Sequence, residues 1–224
     1  MSMRFLFIFT LFFIHVSFVE AHVPNLVSQP TLNDVYIIED PTLSQAFYGT
    51  LKDFPHTYEI RASEPFTLFT QILVPDIDES KNTLSGIIIK LPESKGRVTE
   101  ISRLSAKDAS WESEYEPFGG DSYRKGAFFQ RDLEPGTYRI EVHTPNNLEQ
   151  YVLVVGTREE MTIGYFEMLR RLVGVKVFFG KSPIRIVESP FVYVPLFVLV
   201  CILAGWFVYR RNKSKIVTME GDIL

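Results

Sequence analysis

Cysteine is almost absent from this chain of 224 residues, since Cys201 is its only one. That residue lies within an apolar run close to the C-terminus, so the polar part of the chain has no thiol for a disulfide. Exported domains of this size commonly carry disulfides. We therefore expect the polar part to be stabilised by core burial, which is feasible for a domain of about 130 to 160 residues.

An excess of positive charge is also missing, because 23 Lys and Arg stand against 27 Asp and Glu. Binding to nucleic acid needs a basic surface that displaces counterions from phosphates, so the sequence predicts no nucleic-acid partner. Motifs of catalysis are absent as well. The sequence contains no nucleophile elbow, no glycine-rich phosphate loop and no His-x-x-x-His pair. We expect that the protein is not an enzyme.

An apolar run near the N-terminus, Phe5–Val19, follows Arg4 and leads to the small residue Ala21. A cationic start, an apolar run and a small-residue exit are the parts of a secretory signal. About 15 apolar residues are short for a bilayer core that needs about 20. Residues 1–21 are therefore predicted to be a signal peptide rather than a membrane span.

A second apolar run, Phe191–Tyr209, contains no charged residue and is about 19 residues long. That length is close to the roughly 20 residues that cross a bilayer as a helix. Trp206 and Tyr209 lie near its end, where aromatic rings favour the membrane interface. The sequence predicts one transmembrane helix over 190–209.

Basic residues follow this run at once, beginning with Arg210 and Arg211. The positive-inside rule places such a cluster at the cytoplasmic face. We therefore expect a single-pass protein of the cell membrane with a cytoplasmic tail at 210–224. Residues 22–156 are predicted to form an exported domain, and 157–189 a juxtamembrane module. The lipid bilayer is the first predicted partner.

The exported part has a hydrophobic period of two, which is typical of half-buried strands. Tyr138, Ile140 and Val142 alternate with charged residues, for example. The runs are short and are bounded by turn-forming residues. They predict a mostly β fold, an antiparallel β-sandwich, with jelly-roll and Ig-like (immunoglobulin-like) topologies both open. The predicted strands are Val35–Ile38, Gln45–Leu51, Thr57–Ala62, Phe66–Val74, Gly86–Leu91, Arg97–Leu104, Ala127–Leu133, Thr137–Thr144 and Gln150–Val155.

One stretch of the sequence matches a pattern seen in a known family of domains. Leu133–Val142, with its Pro-Gly turn, followed by Tyr151–Val155, resembles the closing hairpin of bacterial pre-peptidase C-terminal-like domains. Thr57–Ala62 and Phe66–Val74 resemble the central strands of those domains. The resemblance implies a non-catalytic accessory β-sandwich used for secretion, adhesion or polysaccharide contact. It carries over no functional residue.

After Gly156 the hydrophobic period becomes helical, and we expect a helix that starts near Glu159–Thr162 and ends at Gly174. Two interpretations are open. The module is an amphipathic helix on the membrane surface with Phe178 and Phe179 in the lipid, or the helix packs on the sandwich and covers unpaired strand edges.

Three histidines, His22, His56 and His143, form the basis of a metal hypothesis. If cleavage follows Ala21, the free amine and the imidazole of His22 can chelate one ion. Nitrogen ligands of that kind suit Cu(II), and the other two histidines are candidates to complete the site. The alternative is that they are ordinary surface or half-buried side chains.

Two acidic loops are further candidates. Asp76–Ser80 begins like a calcium loop, but Lys81 stands where an EF-hand needs glycine, so only a looser Ca²⁺ site is open. The second loop combines carboxylates with aromatic rings, as sites for sugars or peptides do. Its ligand-binding candidates are Trp111, Glu112, Glu114 and Tyr115. The alternative is a solvated loop that Trp111 attaches to the core.

Together these patterns predict a non-catalytic cell-surface binding or scaffolding protein, with a protein or a polysaccharide as its ligand. A copper-binding ectodomain and an accessory subunit of a membrane complex are the two alternatives.

Overall fold

The computed structural model describes residues 22–78 and 80–221, with side chains described as far as residue 211. The predicted signal peptide therefore lies outside the described residues. The chain contains two short 3₁₀ helices, Ala106–Asp108 and Pro183–Glu188. The other elements are β1 (Val23–Leu26), β2 (Val35–Ile38), β3 (Gln45–Thr50), β4 (His56–Ala62), β5 (Phe66–Pro75), β6 (Ser85–Leu91), β7 (Thr99–Leu104), β8 (Ser113–Glu116), β9 (Asp121–Leu133), β10 (Gly136–His143), β11 (Gln150–Val155), α1 (Tyr165–Phe178) and α2 (Pro190–Gly221).

The strands form two sheets that pack as a sandwich, which confirms the predicted mostly β fold. The six-stranded sheet has the order β1-β3-β11-β5-β9-β8, and the five-stranded sheet has the order β2-β4-β10-β6-β7. The prediction of antiparallel strands was wrong at one edge of each sheet. There β1 runs parallel to β3, and β2 runs parallel to β4. In each case the chain crosses to the other sheet before it returns, so the returning strand keeps its direction.

The prediction that β10 and β11 pair as a closing hairpin was also wrong, because the two strands belong to different sheets. A turn does form between them. Asn147 has a positive φ of 51°, and its backbone N–H donates to the hydroxyl of Thr144. This turn carries the chain from one sheet to the other. Among consecutive strands of the described chain, only β6–β7 and β8–β9 pair as hairpins.

The main core lies between the sheets and includes the alternating side chains of β10 that the sequence predicts to be buried. Its buried tyrosines use their hydroxyls within the protein. Tyr151 bonds both Tyr58, at 2.7 Å between the hydroxyl oxygens, and Nδ1 of His56 at 2.9 Å. Tyr138 donates to the carbonyl of Glu134. Each pairing offsets the desolvation cost that a buried hydroxyl would otherwise carry.

The helix α1 packs on the sandwich, as the second of the two interpretations proposed, but it covers the outer face of the six-stranded sheet rather than an unpaired edge. Val175 and Phe179 join Ala46, Val152 and Val154 in a second apolar cluster there. Both faces of β11 are consequently covered, which explains why this strand is an unbroken buried run rather than an alternating one.

The predicted limits of α1 were wrong at both ends. The helix begins at Tyr165, later than the acidic residues, and it passes through Gly174 to Phe178. A Cβ at Gly174 would lie 2.2 Å from Cδ1 of Leu26, so the glycine lets β1 approach the helix closely. It serves packing rather than termination.

The helix α2 contains the predicted membrane span. Its segment Pro190–Arg211 has 22 residues and a mean hydropathy of 2.5, which makes it long and apolar enough to cross a membrane. The helix does not stop at the predicted tail but continues to Gly221. Pro195 lies within its second turn, close to the end where a missing N–H is best tolerated.

Candidate binding cleft

A cleft of about 280 Å³ lies between α1 and the outer face of the six-stranded sheet. We call it the α1 cleft. The sheet supplies its floor, and Leu172 and Val175 of α1 supply one wall. Its lining is mixed, with apolar and aromatic side chains on the floor and polar groups around them. The polar and aromatic residues of the lining are His22, Ser44, Tyr48, Phe69, Gln71, Glu114, Glu116, Phe118, Tyr123, Lys125, Thr157 and Glu159.

Two tyrosines join across the floor of the α1 cleft. Tyr48 of β3 and Tyr123 of β9 place their hydroxyl oxygens 2.9 Å apart. Burial raises the pKa of both phenols above the ordinary value, and the carboxylates of Glu116 and Asp121 raise them further. Both rings are therefore neutral at physiological pH and act as a fixed polar pair.

Glu116 is the most perturbed carboxyl group of the α1 cleft. It ends β8, and its two oxygens accept the backbone N–H groups of Phe118 and Gly119, each at 2.7 Å. Burial raises its pKa to about 7, and the negative charge of Asp121 adds to this effect, whereas the two N–H groups and Lys176 oppose it. The tight turn of the β8–β9 hairpin therefore holds a carboxyl group that titrates near neutral pH.

This carboxyl group predicts a pH dependence of stability. The folded protein keeps a proton on Glu116 to a higher pH than the unfolded chain does, so stability falls as pH rises between about 4.5 and 7. The loss is on the order of 3 kcal/mol, at 1.36 kcal/mol for each unit of the pKa difference. Glu116→Gln mimics the protonated side chain and should remove this slope. Urea unfolding of both proteins at several pH values measures it, and parallel curves would contradict the assignment.

A buried ion cluster lies directly behind this turn. We call Asp121, Lys176, Lys181 and Glu188 the Asp121 cluster. Nζ of Lys176 lies 3.0 Å from Oδ2 of Asp121, and both side chains are at most 1% exposed. Nζ of Lys181 lies 2.6 Å from the other oxygen of Asp121. Glu188, in the 3₁₀ helix before α2, lies 3.6 Å from Lys176.

The Asp121 cluster joins three parts of the chain at one point. Asp121 starts β9, Lys176 belongs to α1, and Glu188 lies just before the apolar helix α2. Gly120 has a φ of 74°, and its carbonyl oxygen accepts a hydrogen bond from Nζ of Lys176 at 3.2 Å. A charge pair with additional hydrogen bonds can persist in a buried site where an unpaired ion could not.

The structure does not bring the three histidines together. His56 faces the core, and burial, with a smaller contribution from Lys52, lowers its pKa. His143 follows Val142 on β10 and so points to the opposite face of the five-stranded sheet. Among the residues at 22–78 and 80–221, no group of three or more His, Cys, Asp or Glu is placed to hold a metal ion.

His22 does line the α1 cleft, beside Ser44. Its Nδ1 lies 2.5 Å from the hydroxyl oxygen of Ser44, and these two residues directly precede the β1–β3 pairing. Nδ1 is also the nitrogen that would close a chelate ring with the amine. The copper hypothesis therefore requires this hydrogen bond to be exchanged for a metal bond.

The four predicted ligand-binding residues separate into two groups. Trp111 is half-buried against the main core and donates from Nε1 to the carbonyl of Ala106 at 2.9 Å. It therefore attaches the loop to the core, as the alternative proposed. Glu114 lies at the rim of the α1 cleft, where it pairs with Lys125, while Glu112 and Tyr115 are exposed. Part of the predicted loop, Ser113–Glu116, is in fact the strand β8.

The oxygens of Asp76, the first residue of the predicted calcium loop, are engaged by protein groups. Arg124 lies 3.4 Å from one oxygen, and the hydroxyl of Ser113 donates to the other at 2.6 Å. The loop is thereby attached to the β8–β9 hairpin. Glu79 lies outside the described residues.

The predicted membrane-interface residues also fall into two groups, one packed on the sandwich and one on α2. Phe178 and Phe179 pack on Tyr48 and Tyr123 of the sheet, so their place in the lipid was wrong. The apolar surface that they cover belongs to the sandwich. Trp206 and Tyr209 are exposed on α2, as expected of a lipid-facing helix. The guanidinium of Arg210 lies over the Trp206 ring at 5.4 Å, and Arg211 ends the apolar segment.

Comparison with known proteins gives structural likeness only. The pre-peptidase C-terminal domain of a collagenase from Bacillus anthracis is similar, with a TM-score of 0.33 and 10% identity over 58% of this chain and 98% of that one. CorA, a surface-associated copper-binding protein of Methylomicrobium album BG8, has a TM-score of 0.29 and 8% identity over 56% and 98%. A β-glucosidase from Paenibacillus barengoltzii has a TM-score of 0.22 and 10% identity over 59% and 13%.

No protein-family model and no curated protein matches the chain. The first of these likenesses concerns the family that the sequence phrase resembles. No ligand or activity is transferred from proteins this distant.

Proposed function

We propose that this chain is a membrane-anchored, non-catalytic binding protein that exposes its sandwich outside the cell and takes up part of a partner in the α1 cleft. The cleft itself is the observation that supports this proposal. Concave sites with an apolar floor and a few placed polar groups are where proteins bind ligands. The apolar segment of α2 provides the anchor, and the basic residues from Arg210 onward favour a cytoplasmic end.

The charges of the α1 cleft indicate the kind of partner. Two exposed carboxylates, Glu114 and Glu159, line it against one ammonium group, Lys125, and Glu116 adds part of a negative charge near neutral pH. An acidic rim around an apolar floor is complementary to a group that carries positive charge on an apolar stem, as a lysine side chain of a protein partner does. The side-chain contact between Ser44 and His22 is assigned a structural role, because the two residues lie directly before the β1–β3 pairing.

Photo-cross-linking in the native membrane tests this proposal. A photoreactive residue at Gln71, on the cleft floor, should form an adduct of discrete mass. The same residue at Glu141 serves as a matched control, since it is also half-buried but lies on the outer face of the five-stranded sheet. We expect no discrete adduct there. Equal adducts at both positions, or none at Gln71, would contradict the proposal.

Two further variants identify the part of the cleft that matters. Thr157→Trp places a large ring at an exposed position of the lining and should abolish the Gln71 adduct. Glu159→Gln removes one exposed carboxylate, at a stability cost within about 0.5 kcal/mol, and should lower the adduct yield. A yield that stays unchanged in Glu159→Gln would reject a cationic partner group but not the cleft.

A further inference from the structure

An exposed apolar surface surrounds the point where α2 begins. Phe166, in the first turn of α1, is 84% exposed, and Ile184, in the 3₁₀ helix before α2, is 74% exposed. Met161, Tyr165 and Val187 are exposed as well. We call these five residues the collar. Large apolar side chains gathered on an exposed surface mark an interaction site.

The collar is attached to the start of the apolar span. The ring of Tyr165 stacks on that of Phe191, with their centroids 4.8 Å apart and their planes at 26°. Phe191 also contacts Phe118, which packs with Met168 and Leu172 of α1. The first turn of α1 therefore packs against the first turn of α2.

The length of the span indicates where the lipid would begin. The uncharged run Phe191–Tyr209 has about 19 residues, or roughly 28 Å of helix at 1.5 Å per residue. This is close to the ~30 Å hydrocarbon core of a bilayer. Phe191 consequently lies at the hydrocarbon boundary, and Tyr193 lies near that end as Trp206 and Tyr209 lie near the other. Aromatic rings at both ends are typical of a membrane-spanning helix.

We propose that the collar is seated in the interfacial layer of the bilayer, so that the sandwich rests on the membrane surface. This inference depends on the membrane span in the proposed function but not on the α1 cleft. The cations beside the collar are already neutralised, because Arg170 pairs with Glu167 and Arg185 pairs with Glu188. Insertion therefore relies on apolar contact, and acidic lipids should not be required.

Spin labels on the full-length chain in phosphatidylcholine nanodiscs test this inference. Cys201 is the only cysteine, so a Cys201→Ser background accepts single labels. Labels at Phe166→Cys and Ile184→Cys should show an oxygen-to-nickel accessibility ratio several-fold higher than a label at Leu148→Cys. Leu148 is similarly apolar and exposed but lies in the β10–β11 turn. A ratio at the collar equal to that at Leu148 would overturn the inference.

A label at Leu203→Cys, in the middle of the span, separates the two levels of the proposal. If the oxygen-to-nickel ratio at Leu203 is as low as that at Leu148, the membrane span fails and the collar fails with it. If Leu203 reports lipid while Phe166 reports water, only the collar fails. Low accessibility to both reagents at Phe166, with spin broadening that grows with protein density, would assign the collar to a second copy and reject the lipid. Adding phosphatidylglycerol should leave all ratios unchanged, and a rise that depends on it would reject the apolar mode of insertion.

Discussion

Asp121→Asn is expected to lower the free energy of unfolding by about 3 to 5 kcal/mol, which is the cost of breaking a buried ion pair on one side. The substitution keeps the shape of the side chain but removes its charge. Lys176 is 1% exposed and would then be buried opposite a neutral amide. Lys181, at 2.6 Å from Asp121, loses the same partner but can turn towards water, because it is partly exposed.

The double variant Asp121→Leu with Lys176→Met is the control for this prediction. It removes both charges and fills their volume with apolar groups, an exchange that is often neutral or stabilising in other buried pairs. We expect it to recover most of the stability lost in Asp121→Asn. Chemical unfolding of the full-length chain in detergent micelles measures all three proteins. A loss within about 0.5 kcal/mol for Asp121→Asn, as for an ordinary surface change, would show that the pair is not buried in solution.

Hydrogen exchange distinguishes a local from a global effect of the same substitution. The Asp121 cluster attaches α1 and the connector to α2 to the start of β9. The core between the two sheets contains none of its residues. Amide protection should therefore fall first in α1 and in the 3₁₀ helix Pro183–Glu188. Protection in β10, at the centre of the five-stranded sheet, should fall last. Uniform loss in all strands would contradict a local role for the cluster.

Gly156→Ala is expected to be the most destabilising change of a glycine in the described chain. Gly156 follows β11 with a φ of 77°, a conformation that costs other residues on the order of 1 to 3 kcal/mol. Its added Cβ would also lie 2.2 Å from the backbone oxygen of Leu43. The backbone cannot move away cheaply, because the N–H groups of Thr157 and Arg158 donate to the carbonyl of Thr42. We expect a loss above 3 kcal/mol.

Gly180→Ala separates the two causes. Gly180 has a similar φ of 67°, but a Cβ there would meet no atom within 4 Å. This variant therefore reports the backbone strain alone, on the order of 1 kcal/mol. Thermal unfolding of both variants beside the parent gives the difference, which is the cost of the steric clash. Equal losses for Gly156→Ala and Gly180→Ala would show that the turn after β11 relaxes.

The sequence predicts the strands well where one face of a strand meets the core. Tyr138, Ile140 and Val142 are buried as their alternation indicates. It does not predict which sheet a strand joins, because a buried side chain looks the same from either sheet. β1 escaped prediction since it has only four residues and contains Pro24. The strand β1 is stabilised by its pairing with β3 and by its contact with α1. Both partners are distant in the sequence, so no local pattern indicates them.

The site was harder to predict, because its parts are distant in the sequence. Asp121 and Lys176 are 55 residues apart, and no spacing rule joins them. One signal was present in α1. Met168, Leu172 and Lys176 are separated by four residues each, so the lysine continues the buried stripe of the helix. A cation in such a stripe indicates a buried anionic partner, although the sequence does not say which one.

Phe178 and Phe179 show why a membrane contact is difficult to assign from an apolar pair alone. The same rings that suit a lipid surface also suit the exposed apolar face of a sheet, and here Ala46, Val152 and Val154 provide that face. The sequence predicts both a membrane span and a sheet with an apolar face, and the two rings could pack against either. Only the three-dimensional arrangement decides which of them meets the helix.

The position of α1 connects the α1 cleft to the start of α2. One side of α1 forms a wall of the cleft through Leu172 and Val175, and its first turn is stacked on Phe191. A partner that contacts Leu172 or Val175 in the cleft therefore contacts the same helix that packs on the start of α2, and α2 is one helix from there to Gly221.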